Sequence, residues 1–259
     1  MATVKETAVI GGTLKMRIYG SGVPFTPVGL VSTVQQSHET NQLRVEDTTT
    51  PIGGTYDKLE KVTSMNIAIN FRELFARNMA AVLYANITDV PSEQITGEEV
   101  VVSVGGTSVL AKMPLTVDTV ADFTTPATIY VEDVDYRITG AGIEVLEGGD
   151  LATAIASAVD YKVVVDYTSA DYDEIEALTN SGEEWELMFE GSNAVGTKGK
   201  INAHYWRVRF GLAENMDLIS VEDFIALNAG AEVLADSGRG QGKSAYMKIN
   251  KQKNVPVAA

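Results

Sequence analysis

The chain has 259 residues, 45% of them hydrophobic, and its 20 Lys plus Arg against 35 Asp plus Glu give a formal net charge of −15. Such a length can fill one large core or two small ones, while the acidic balance argues against a groove that grips nucleic acid by neutralising phosphates. With no cysteine there is neither a disulfide frame nor a thiolate zinc site, and without a basic start leading into an apolar run, or any stretch of about eighteen apolar residues, neither a cleaved signal nor a membrane span is expected.

Residues 1–12 are small and polar and read as a flexible arm. Strands are predicted at 13–19, 26–36, 39–45 and 59–70, where β-branched and apolar residues run between turn formers. Between the last two lies 46–57, EDTTTPIGGTYD, whose threonines, Pro51 and the Gly53-Gly54 pair mark a long exposed loop. Met65, Ile67 and Ile69 alternate with Ser64, Asn66, Ala68 and Asn70, as in a strand with one wet face. The period then changes: Phe71, Leu74, Phe75, Asn78, Met79, Val82 and Leu83 predict a helix over 71–85, with Asn70 as its cap and Glu73 completing a capping box.

Short strands follow at 98–104, 128–132, 135–139, 142–146 and 161–167, punctuated by Gly105-Gly106, Pro114, Gly140 and Gly148-Gly149. They read as a small inserted all-β domain over 97–167, interrupting a discontinuous β domain of 13–95 and 168–250. DYDEIEALT at 171–179 predicts a short helix with acidic residues in its first turn. Strands are expected at 185–191, 202–211, 223–234 and 245–250, with Trp206, Val208 and Phe210 on one face of the second, and Trp185, Trp206 and Phe210 in the core. Residues 251–259 read as a flexible tail.

Catalytic patterns are missing. His38 and His204, the only histidines, stand far apart; there is no HExxH, no GxSxG and no calcium loop. SGRGQGKS at 237–244 ends like a phosphate-binding loop, but Ser237 replaces the opening glycine and an alternating, strand-like segment follows where a helix is required. Paired acids such as Glu98-Glu99 and Glu183-Glu184 read as solvated surface. No enzyme activity, cofactor or metal is expected.

Several segments, taken in order, resemble the major tail tube protein family of long-tailed bacteriophages. They are PVGLVSTV at 27–34, LEKVTSMNIAINFRELFARNMAAVLYA at 59–85, DYTSADYDEIEAL with GEEWELMFEGSN across 166–193, YWRVRF at 205–210 and the run from Ile225 to Met247. The resemblance implies a mainly β, tail-tube-type sandwich or barrel with a flanking helix, forming hexameric rings that stack head to tail. Such a subunit belongs to the virion, is assembled in the bacterial host cytoplasm, and conducts DNA during ejection without binding it specifically. Its partners are other copies of itself and, at the ends, tail tip, terminator and tape-measure proteins, with no membrane. Under that reading Glu39, Glu60, Ser64, Asn66, Asn228 and Glu232 are candidates to line the lumen. The loop Thr48, Thr49, Thr50, Pro51, Ile52, Gly53, Gly54, Thr55 and Tyr56 is the candidate for stacking rings. A neck, terminator or decoration protein, or a carbohydrate-binding adhesin-like module in 97–167, shares the β-rich, acidic character and stays open.

Overall fold

The computed structural model describes residues 7–49, 51–157, 159–195, 199–213 and 215–253, and the chain is mainly β. It begins with β1 (Ile10–Ile18), β2 (Thr26–Pro27), β3 (Val31–Glu46), β4 (Thr55–Phe71), helix α1 (Ala76–Leu83) and β5 (Asn86–Val90). The middle holds β6 (Gln94–Val101), β7 (Thr107–Val109), β8 (Pro114–Asp122), β9 (Ile129–Tyr130), β10 (Tyr136–Ile138), β11 (Gly142–Val145), α2 (Asp150–Ala156) and β12 (Lys162–Ser169). Last come β13 (Tyr172–Glu176), β14 (Glu184–Asn193), β15 (Lys200–Phe210), β16 (Leu227–Val233) and β17 (Met247–Lys251). Contacts divide the chain into two compact units, Met1–Ile87 with Ile175–Ala259, and Thr88–Glu174.

The first unit is built on one eight-stranded sheet in the order β2-β1-β14-β15-β16-β4-β3, with β17 also paired to β15. Two strands share one edge of β15: β17 takes Ile201 to Tyr205, and β16 takes Val208 to Phe210. Side chains of a strand alternate between faces, so one face gathers Leu14 and Met16, Trp185 and Leu187, Val208 and Phe210, Leu227 to Val233 at every second position, and Met65, Ile67, Ile69 and Phe71 into a single core. Ala81 and Val82 of α1, with Val28, close that core. Asn78 is fully buried there and its Nδ2 donates to the Val28 carbonyl at 2.8 Å and to the Glu73 carbonyl at 3.2 Å, pinning the helix to the segment that enters β3.

The second unit carries a four-stranded sheet, β6-β12-β8-β9, and a three-stranded one, β10-β11-β7. Val163, Val165 and Tyr167 of β12 pack with Val120, Ile143, Val145 and, from α2, Leu151. The one buried carboxylate here, Asp135, accepts from the backbone N–H groups of Val131 and Leu151, which makes it a clamp between two loops.

Several expectations are corrected. The helix of 71–85 is shorter, Ala76–Leu83: Phe71 ends β4 in the sheet ladder, and Asn70 donates across the sheet to Asn228 Oδ1 at 2.6 Å instead of capping, so Phe75 starts the helix with no side-chain cap. Residues 171–179 form strand β13, paired with β5, and Leu178 in the left-handed region (φ 61°) stops any helical continuation. The strands expected at 26–36 and 39–45 are joined into the single β3, and the loop of 46–57 is only the turn between β3 and β4. Ile10 to Gly12 of the expected arm pair with Asn193 to Gly191, and Lys251 of the expected tail pairs with Ile201. Residues 1–6 and 254–259 of those two segments lie outside the described residues. The inserted unit extends to Thr88–Glu174 and contains β7, β8 and α2, which the sequence reading does not anticipate.

Candidate functional site

Opposite the core, the sheet turns a polar face outward. Register places Ser37, Asn66, Glu232 and Arg209 in one cross-strand row, Gln35, Ala68 and Gly230 in the next, and Thr33, Asn70 and Asn228 in a third. Those residues line a depression of about 930 Å³. Amides dominate it: Asn70 bonds Asn228, Asn66 Nδ2 donates to Ser64 Oγ at 3.2 Å, and Arg209 donates to the Ser181 carbonyl. Ser64, Asn66, Asn228 and Glu232 therefore share this face, and Glu39, opposite Ser64, joins them.

Glu60 does not. It pairs with Gln42, which stands three residues from Glu39 on β3, and odd and even positions of a strand face opposite ways. A bulge in β4, where Glu39 and Thr40 oppose Ser64 and Val62, makes the switch. On its own side Glu60 takes a hydrogen bond from Gln42 Nε2 at 2.7 Å and an ion pair from Lys58 at 3.3 Å, and those contacts, Lys58 first, hold its carboxyl below the usual range.

Beyond Glu39 and Ser64, β3 and β4 run on as a two-stranded ribbon. The β16 ladder stops at Asn66, and the described residues from 40 to 63 are exposed on both faces apart from half-buried Asp47. On the side continuing the polar face, the ribbon turns apolar with Leu43, Val45 and Leu59, while Val62 shares the other side with Glu60. At its tip the Asp47 N–H donates to the Gly54 carbonyl, and Asp47 Oδ1 takes hydrogen bonds from the N–H and hydroxyl of Thr49. Gly53 (φ 72°) and Gly54 (φ 151°) supply the left-handed backbone, leaving Ile52 97% exposed. Thr48, Thr49, Pro51, Thr55 and Tyr56 sit on this tip, whereas Thr50 lies outside the described residues.

Trp206 is not in the core with Val208 and Phe210. β15 carries an extra residue opposite the step from Trp185 to Leu187, so Tyr205 takes the inward place and Trp206 turns to the opposite face. It is covered there by the 237–244 segment: the Arg239 guanidinium lies 3.1 Å from the ring centroid and the indole Nε1 donates to the Ser244 carbonyl. That segment is a single 3-10 turn, Ser237–Arg239, leading through a turn to strand β17, and it presents no helix N-terminus to a phosphate. His204 stacks against Trp206 and bonds Glu186, which also pairs with Arg17 at 2.8 Å; burial lowers the His204 pKa against the pull of Glu186. His38 has a different neighbour, Gln36. Among the described residues no three His, Asp or Glu side chains gather as metal ligands.

In the second unit the Tyr161 hydroxyl donates to Asp122 and shares a 2.6 Å bond with Tyr130. Burial, then the bond to Asp122, pushes the Tyr161 pKa up, and the same bond holds Asp122 down. A neutral phenol on a carboxylate joins β8, β9 and the start of β12 and offers no reactive group. The sequence reading does not single out Arg17, Arg77 or Arg239, since a lone arginine in a strand, helix or loop carries no pattern.

No curated protein matches the chain. Residues 8–250 match the family described as Protein of unknown function UCP028589, and the chain belongs to that family.

Proposed function

We propose that the chain is a self-assembling structural subunit of tail-tube type, whose copies join their sheets into rings and stack the rings into a hollow tube that conducts phage DNA. The ribbon of β3 and β4 carries the reading. A two-stranded hairpin exposed on both faces is marginal in water, and open strand edges are places where another chain adds itself. A ribbon of this length, apolar at Leu43, Val45 and Leu59, is supported once a neighbouring copy covers it.

The polar face fits the lumen. Six copies contributing four strands each give about 24 strands, and at roughly 4.8 Å spacing and about 45° tilt the backbone diameter is about 50 Å. Side chains leave about 40 Å, room for one duplex. A wall of Asn66, Asn70, Asn228, Glu39 and Glu232, with Arg209 as the cation of its rows, neutralises no phosphates and lets DNA slide. Contact through one patch on each copy and a different patch on the next closes rings, and contact through the tip stacks them.

Sedimentation velocity across a concentration series tests the proposal. The account expects boundaries that grow to ring and filament sizes with concentration, and loss of that growth when the ribbon is removed. A single monomer boundary at every concentration removes it.

A further inference from the structure

We propose that segment 216–224 of one copy docks into the groove formed by α1, β1 and β14 of a second copy. The proposal rests on the assembly reading in that it needs a second copy of the chain. The groove encloses about 580 Å³ and its walls are apolar, with Ile18, Val23, Ala81, Ile87 and Trp185 among them. Two cations line it, Arg17 and Arg77. Arg17 is already paired with Glu186. Arg77 forms no ion pair among the described residues: its guanidinium donates to the Thr26 hydroxyl and, at 2.7 Å, to the Pro27 carbonyl.

Arg77 Nε and Trp185 Nε1 are both buried without an acceptor. Under-satisfied donors beside an apolar wall cost free energy until an acceptor arrives with apolar surface of its own. The groove thus asks for a ligand that is apolar and anionic together.

The chain carries such a ligand. Residues 216–224 read MDLISVEDF, with Asp217, Glu222 and Asp223 set among Leu218, Ile219, Val221 and Phe224. Those four apolar side chains are 77%, 85%, 93% and 85% exposed, so they do not occupy the groove of their own copy. A single exposed apolar residue is ordinary, but four within seven positions form a patch that marks a contact. The segment is nevertheless held in place: Arg72 Nη1 donates to the Phe224 carbonyl at 3.1 Å, the Ser220 hydroxyl bonds the Asp223 carbonyl, and Met216 bridges to Leu227. An ordered, acidic and apolar segment complements a basic and apolar groove in both charge and character. One groove and one segment per copy make a heterologous contact, the kind that propagates around a ring.

A fluorescein-labelled peptide of residues 215–226, titrated into the full-length chain at a dilution where it is monomeric, tests the docking by anisotropy. Saturable binding is expected, weakened at least ten-fold by Arg77→Gln or by groove-filling Ala80→Trp, each with its fold checked by circular dichroism. A peptide carrying Val221→Ser and Phe224→Ser should bind the wild-type chain at least ten-fold more weakly, a comparison that needs no protein variant. No binding, or equal binding to all these forms, overturns the docking, and filaments formed by the same wild-type sample then leave the assembly reading standing. Peptide affinity raised ten-fold when the chain itself carries Val221→Ser and Phe224→Ser would mean that the segment fills its own groove, which also overturns the proposal. A chain that binds peptide yet stays monomeric at every concentration removes docking and assembly together.

Discussion

Replacing residues 40–63 by Asn-Gly joins Glu39 to Ser64 through a type I′ turn and removes the whole ribbon. Every described residue deleted is exposed except half-buried Asp47, so almost no apolar burial is lost. The ladder bonds removed are each worth a net of about 0.5–1.5 kcal/mol, while each residue freed from order regains about 1–2 kcal/mol of backbone entropy. These terms offset, and the ribbon contributes no more than about 1 kcal/mol to the folded monomer, or about 2–4 °C in Tm for a unit of this size. Circular-dichroism melts should therefore superimpose within that margin, while sedimentation shows assembly abolished. A fall of about 10 °C or more would mean that the ribbon is braced by its own chain. Assembly that survives the deletion would equally refute the reasoning.

Asn78→Ala should cost about 1–3 kcal/mol in urea unfolding, because the carbonyls of Val28 and Glu73 lose a buried donor; an unchanged midpoint would show that α1 is held by packing alone. His204 has its folded-state pKa depressed below 6.5 by burial, so the unfolded chain takes up the proton first. Stability then falls as pH drops below 6.5 and goes on falling until the folded pKa is reached, and His204→Gln should flatten that slope; identical slopes in urea titrations between about pH 7.5 and about 5.5 would contradict it. Glu39→Lys with Glu232→Lys should make assembled protein retain duplex DNA at low salt and release it steeply as salt rises, whereas the wild type retains none. Equal retention by both would remove the electrostatic part of the proposal.

Strands were legible wherever period-2 alternation was long and uninterrupted, as along Met65 to Phe71 and Leu227 to Val233, because one face of each packs on a single core. Alternation misled at bulges. One extra residue in β15 sends Trp206 away from Val208, and one in β4 separates Glu60 from Ser64, and neither bulge has a glycine or other mark in the sequence. The helix expected at 171–179 failed for a related reason: Tyr172, Glu174 and Glu176 alternate with Asp173 and Ile175, and pairing with β5 outweighs the local preference of acidic residues for a first helical turn. β8 was hidden behind Pro114, read as a break, although proline is tolerated as the first residue of a strand. Four of the six polar-face candidates lie on strand pairs with regular register, and a fifth, Glu39, borders the bulge on the correct side. The groove was out of reach of any local pattern, since Arg17, Arg77 and Trp185 come from three distant segments.

End-on electron micrographs of the purified chain at high concentration test the central claim most directly. The account predicts hollow filaments of six-fold rings with a central hole of about 40 Å. Uniform single particles, or filaments with a filled axis, would contradict it.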